Sequence, residues 1–172
     1  MATLDQLLDV GIKTAEHLLM KKRVPMLIPE YTLITKDKEI IVLPVQFRDD
    51  YEKDVAVATV KATAAILGAI QALYVSEGWM MKLPKALTPW HADRQMENLP
   101  KPSQSPDRIE IVQAVATDGK TTKGRSLQMI RDKPGGKLIA LVRLGELEDD
   151  DGTSYIGRMI DGIIPARKEQ EL

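Results

Sequence analysis

Residues 49–83 constrain the fold more than any other stretch. They open on acids, run through Val55-Ala-Val-Ala-Thr-Val-Lys-Ala-Thr-Ala-Ala-Ile-Leu67, break at Gly68, and resume as Ile70-Gln-Ala-Leu-Tyr-Val-Ser-Glu-Gly-Trp-Met-Met81. In the first half Val55, Ala58, Ala62, Ala65 and Ala69 recur at steps of three and four, which is a helical face. Val57, Val60, Ala64 and Leu67 make a second face. Asp49 is placed to cap the helix, and Glu52 follows at capping-box spacing. Asp50 and Asp54 add to the negative charge that suits the positive end of the helix dipole. The pattern predicts a helix over 50–67 feeding a strand over 70–82. Lys61 is the one charged residue between Val55 and Ile70. A helix apolar nearly all round is enclosed rather than surface-lying. The sequence therefore predicts cover from two directions: the sheet on one side, another helix or a second subunit on the other.

The flanking segments supply a sheet. Thr3 and Gln6 have capping-box spacing, and Leu4, Leu8, Ile12, Ala15 and Leu19 form a stripe. This predicts an amphipathic helix over 3–21, either lying on the core or pairing with another copy. Residues 24–35 and 39–47 read as a hairpin turning at Lys36-Asp37-Lys38. Pro25, Pro29 and Pro44 lack ladder donors and push that hairpin to a sheet edge. Residues 108–144 read as a three-stranded meander with turns at Asp118-Gly119 and Pro134-Gly135-Gly136. A short helix is expected near 154–160 and a flexible tail over 165–172. The fold class is α+β. One domain is expected, with an antiparallel sheet of about five to six strands, N-terminal hairpin plus C-terminal meander. It packs on the N-terminal amphipathic helix and a central buried helix, with the helices on one face.

Residues 83–107 follow neither period. They hold Pro84, Pro89, Pro100, Pro102 and Pro106. Irregular stretches of this length inside a domain are usually functional or disordered. Trp90, His91, Asp93 and Arg94 lie here, and Glu77 and Trp79 end the preceding strand. These six are the candidate binding residues. Trp and Arg are types enriched at interface hot spots, so the Pro-rich loop is a candidate contact for a protein partner.

The chemistry is thin. The chain has no cysteine, which excludes disulfides, thiolate metal sites and a cysteine nucleophile, and fits a reducing cytoplasm. A net charge of −1 offers no global field for nucleic acid or membrane. Residues 55–73 have the length of a membrane span, but Lys61, Gly68 and Gln71 interrupt them. No basic leader opens the chain. Neither Gly-x-Ser-x-Gly nor a P-loop is present. His91-Ala-Asp93, followed by Ser103-Gln-Ser-Pro-Asp107 with Glu30 upstream, resembles in part the zinc motif of JAMM-type deubiquitinating peptidases. That family's motif is His-x-His, and Asp93 holds the second place, so no metal and no cofactor are expected. Glu77, beside Gly78, is either a buried acid–base group or a solvent-facing residue at a bulge. The meander carries Lys120, Lys123, Arg125, Arg131, Lys133, Lys137 and Arg143, but no aromatic platform lies among them.

The expected function is a cytoplasmic, non-enzymatic interaction or structural module acting as a homodimer. One alternative is a small-molecule or peptide binder that uses loop 83–107 over the sheet. A second is a hydrolase with a site around Glu77, His91 and Asp93.

Overall fold

A computed structural model describes residues 2–80, 108–148 and 159–165. Helix α1 (Leu4–Glu16) continues into a π-helical turn (His17–Lys21). Then come β1 (Glu30–Thr35), β2 (Ile40–Pro44), α2 (Asp50–Ile66), β3 (Ala69–Met80), β4 (Ile109–Thr117), β5 (Thr122–Arg131) and β6 (Leu138–Glu148). The strands form one six-stranded antiparallel sheet in the order β2-β1-β3-β4-β5-β6. The fold is α+β, as the periodicities predict.

The capping box of α1 is complete: the Thr3 hydroxyl accepts the Gln6 N–H, and the Gln6 side chain accepts the Thr3 N–H. The stripe then buries Leu4, Leu7, Leu8, Ile12 and Ala15. It lies on Leu73, Val75, Val112, Ala114, Ala116, Leu127 and Met129 of the sheet. Gly11 permits the close approach, since a Cβ there would sit 3.1 Å from the side chains of Leu73 and Val75.

The other face of the sheet carries α2. Asp49 caps it by accepting the Glu52 N–H at 2.8 Å, and Gly68 stops it at φ +62, where a residue without Cβ is favoured. Val60 and Ala64 meet Tyr31, Leu33, Ala72, Tyr74 and Val115. Met159, Ile160, Ile163 and Ile164 complete this second core. The Tyr31 hydroxyl donates to the Met159 carbonyl at 2.6 Å, and its ring lies 4.6 Å from that of Tyr74.

Several expectations change. The helices occupy opposite faces rather than one, because β3 and β4 present alternate residues to two separate cores. Helix α2 has the predicted span, but among the described residues it is covered from one side only. Val60 and Ala64 are its buried residues, while Tyr51 is 77% and Ile66 83% exposed. The face through Val57, Val60 and Ala64 points in, and the face through Val55, Ala58, Ala62 and Ala65 points out. The hairpin is shorter than read: residues 24–29 are not strand, and β2 ends at Pro44. Its edge position and the meander with both turns are as read. Gly119 and Gly135 adopt φ +83 and +69 in those turns. The expected bulge at Gly78 is absent, since β3 pairs with β4 in unbroken register there. All of loop 83–107, residues 154–158 of the short helix and tail residues 166–172 lie outside the described residues.

Candidate functional site

The end of β3 gathers the polar groups of the α1 face. Glu77 and Trp79 follow Leu73 and Val75 on that face, and Trp79 stands directly opposite Glu110 on β4. Arg131, the last residue of β5, pairs its Nε with the Glu110 carboxylate, and another of its N–H groups donates to the Gly136 carbonyl at 2.9 Å. The Arg108 guanidinium lies 4.5 Å from the centre of the Trp79 ring, a cation–π contact. Trp79 stays 40% exposed. Trp79, Arg108, Glu110 and Arg131, with Lys133 and Pro134, line a concavity of about 760 Å³.

Glu77 is half-buried beneath this rim. Its carboxylate accepts the Leu27 N–H at 2.8 Å and so ties the segment before β1 to β3. Burial pushes its carboxyl above the ordinary value; the Leu27 N–H and the charge of Arg131 pull against that, and Glu110 adds to the rise. Glu77 is therefore neither the solvent-facing residue of a bulge nor fully buried.

Of the six predicted site residues, Glu77 and Trp79 are brought together on one face. Trp90, His91, Asp93 and Arg94 lie outside the described residues. Arg108, Glu110 and Arg131 were missed as members of the cluster. The register that sets Glu110 beside Trp79 spans the 83–107 segment, so no local pattern announces it. Glu30, the upstream acid of the zinc-motif comparison, opens β1 between Pro44 and Val75. No group of three or more His, Cys, Asp or Glu among the described residues is placed to hold a metal.

The basic meander divides in two. Lys123 pairs with Asp5 at 3.0 Å, and buried Arg125 pairs with Asp9 and approaches Asp5 at 3.8 Å. Asp5 and Asp9 of α1 thus offset charge on these two residues of β5. Among the described residues Lys133 and Lys137 have no such partner. Lys137 and Arg23 line a second concavity of about 570 Å³ with Leu19, Met20, Val24 and Ile139.

The two sheet edges also differ. Edge β2 is five residues long and closes on Pro44. Edge β6 has eleven residues and no proline, with Ile139, Val142 and Leu144 exposed along it.

Comparison with protein-family models, curated proteins and solved structures found no match. Among the described residues no helix is long and apolar enough to cross a membrane.

Proposed function

We propose that this chain is a non-enzymatic interaction module of the cytoplasm that works as a homo-oligomer. The observation that carries this reading is the outer edge of β6. A long, proline-free edge with exposed Ile139, Val142 and Leu144 is a template for another strand. Proteins that stay monomeric blunt such edges with short strands or proline, as β2 does here. The exposed flank of α2 adds apolar surface of the same kind.

Light scattering across a dilution series tests it. The expected result is a mass that is a multiple of the single chain, reduced to one chain by Ile139→Lys with Val142→Lys while circular dichroism is unchanged. A single-chain mass at every concentration would overturn the reading.

A second reading, a small-molecule binder, draws support from the concavity beside Trp79. There an indole face, Arg108 and the Glu110–Arg131 pair converge. It predicts that ligands shift the Trp79 fluorescence, and that the shift disappears in Trp79→Leu. The hydrolase reading keeps a single support here, the raised carboxyl of Glu77.

A further inference from the structure

The helix that begins at Leu4 ends in an unusual way. It closes through the π-helical turn, with the Lys22 N–H donating to the His17 carbonyl at 3.0 Å and the Val24 N–H to the Leu18 carbonyl at 3.1 Å. Between them Arg23 takes φ +54, a left-handed backbone that glycine adopts at least cost. The chain thus holds an arginine where a helix end favours glycine. Non-glycine residues in this conformation cluster at functional sites, as π turns do. Arg23 follows Lys21 and Lys22, and all three are exposed.

The groove that starts at this turn has an apolar floor and a cationic rim. Leu19 and Met129 of the floor are buried, and Val24 and Leu138 half-buried. Exposed Arg23 and Lys137 form the rim. Gly135 and Gly136, from the turn that leads into β6, line the groove too, and exposed Lys133 belongs to the same turn. Among the described residues none of these five cations pairs with a carboxylate. Asp132 is the one acid of that turn, and Glu110 is held by Arg131. The net charge of −1 over the whole chain conceals this local excess. Apolar side chains stand beside it. Pro25 lines the groove, and Met26 and Ile28, which follow it, are 64% and 52% exposed.

We propose that this end of the molecule docks on a membrane surface that carries anionic phospholipids. The lipid headgroups meet Lys21, Lys22, Arg23, Lys133 and Lys137, while Met26 and Ile28 enter the boundary of the acyl region. A basic patch and inserted apolar side chains are each weak anchors and hold a protein when combined. The groove follows the order of a lipid, with charge at the mouth and apolar surface beneath. A single-stranded nucleic acid fits less well, because it needs an open stacking face. Trp79, which lines the neighbouring concavity with Gly135, has the Arg108 guanidinium over its ring. The inference does not rest on the homo-oligomer reading, since it uses the cations before β6 and not the strand's edge.

Co-sedimentation of the full chain with vesicles tests it, using phosphatidylcholine alone and phosphatidylcholine with about one-third phosphatidylserine. The expected result is binding to the anionic vesicles only, falling as salt rises. Each cation at such a surface strengthens binding about fivefold, so Arg23→Gly should weaken it about fivefold and Lys22→Gln with Lys137→Gln about 25-fold. Arg23→Gly also relaxes the left-handed turn. Its urea midpoint should therefore not fall, which separates lost charge from lost fold. Met26→Asp should weaken binding with every cation in place.

Equal binding to neutral vesicles, or no binding to anionic ones, overturns the proposal. So does anionic-vesicle binding that the Lys22→Gln with Lys137→Gln variant leaves unchanged. Capture of poly-glutamate or single-stranded RNA without capture of vesicles overturns it in favour of a soluble polyanion.

Discussion

The two helices start alike and end differently. Each is capped by a short polar side chain that accepts an N–H three residues on, from Thr3 to Gln6 and from Asp49 to Glu52. Yet α1 buries a full stripe of leucines and isoleucine, while α2 buries Val60 and Ala64. The cap decides where a helix begins; side-chain volume on one face decides how firmly the sheet holds it. An alanine-rich helix is apolar all round and still offers little area to bury on any side. Low charge alone is therefore a poor sign of enclosure.

This contrast can be broken by mutation. Leu8→Ala, in the middle of the α1 stripe, should cost about 3 kcal/mol in urea unfolding, within the range for a fully buried leucine. Val60→Ala should cost less, about 1–2 kcal/mol, because fewer atoms leave the core. Equal losses at the two sites would mean that α2 is held as tightly as α1, and the contrast would fail. Thr3→Ala and Asp49→Ala should each cost about 1 kcal/mol, since the caps do the same work at both helices. Ala62→Gln on the outward flank of α2 should change stability by less than about 0.5 kcal/mol. A larger loss that depends on protein concentration would show that a second copy covers this flank.

Glu77→Gln sharpens the comparison on the α1 face with the smallest effect. Its carboxyl is raised in the folded state, so the folded protein holds that proton more tightly than the unfolded chain does. The stabilisation is complete below the ordinary carboxylate pKa and is lost as pH rises through the raised value. Glutamine keeps an acceptor for the Leu27 N–H without the charge. Urea midpoints of variant and parent should therefore coincide at acidic pH and separate above that window, with the variant higher. A parent that is the more stable of the two at neutral pH would show that the Leu27 tie needs the charge.

Much of the fold is legible in the residues. Alternation at Leu127 and Met129, the Asp118-Gly119 and Pro134-Gly135-Gly136 turns, and the capping spacings all give local instructions, and the chain follows them. Which face each helix takes is not local. It depends on the odd and even residues of β3 serving different cores, with Leu73 and Val75 on one side and Ala72 and Tyr74 on the other. Both sets are apolar, so the strand's pattern is the same whichever helix lies above it. The candidate site divides in the same way. Glu77 and Trp79 stood out by their place at a strand end, whereas Glu110, Arg131 and the offsetting Asp5 and Asp9 arrive through pairings between residues far apart in sequence.

The bond from the Tyr31 hydroxyl to the Met159 carbonyl joins residues 128 positions apart. As the chain leaves the ribosome, helix α1 and the strands it covers are all made before residue 149, so that half can condense early. The half around Tyr31 must wait for Ile160, Ile163 and Ile164, and until they emerge the phenol and its greasy neighbours stand open. A nascent chain stalled before residue 159 should thus present a finished face and an unfinished one, and the unfinished one is where a chaperone would bind.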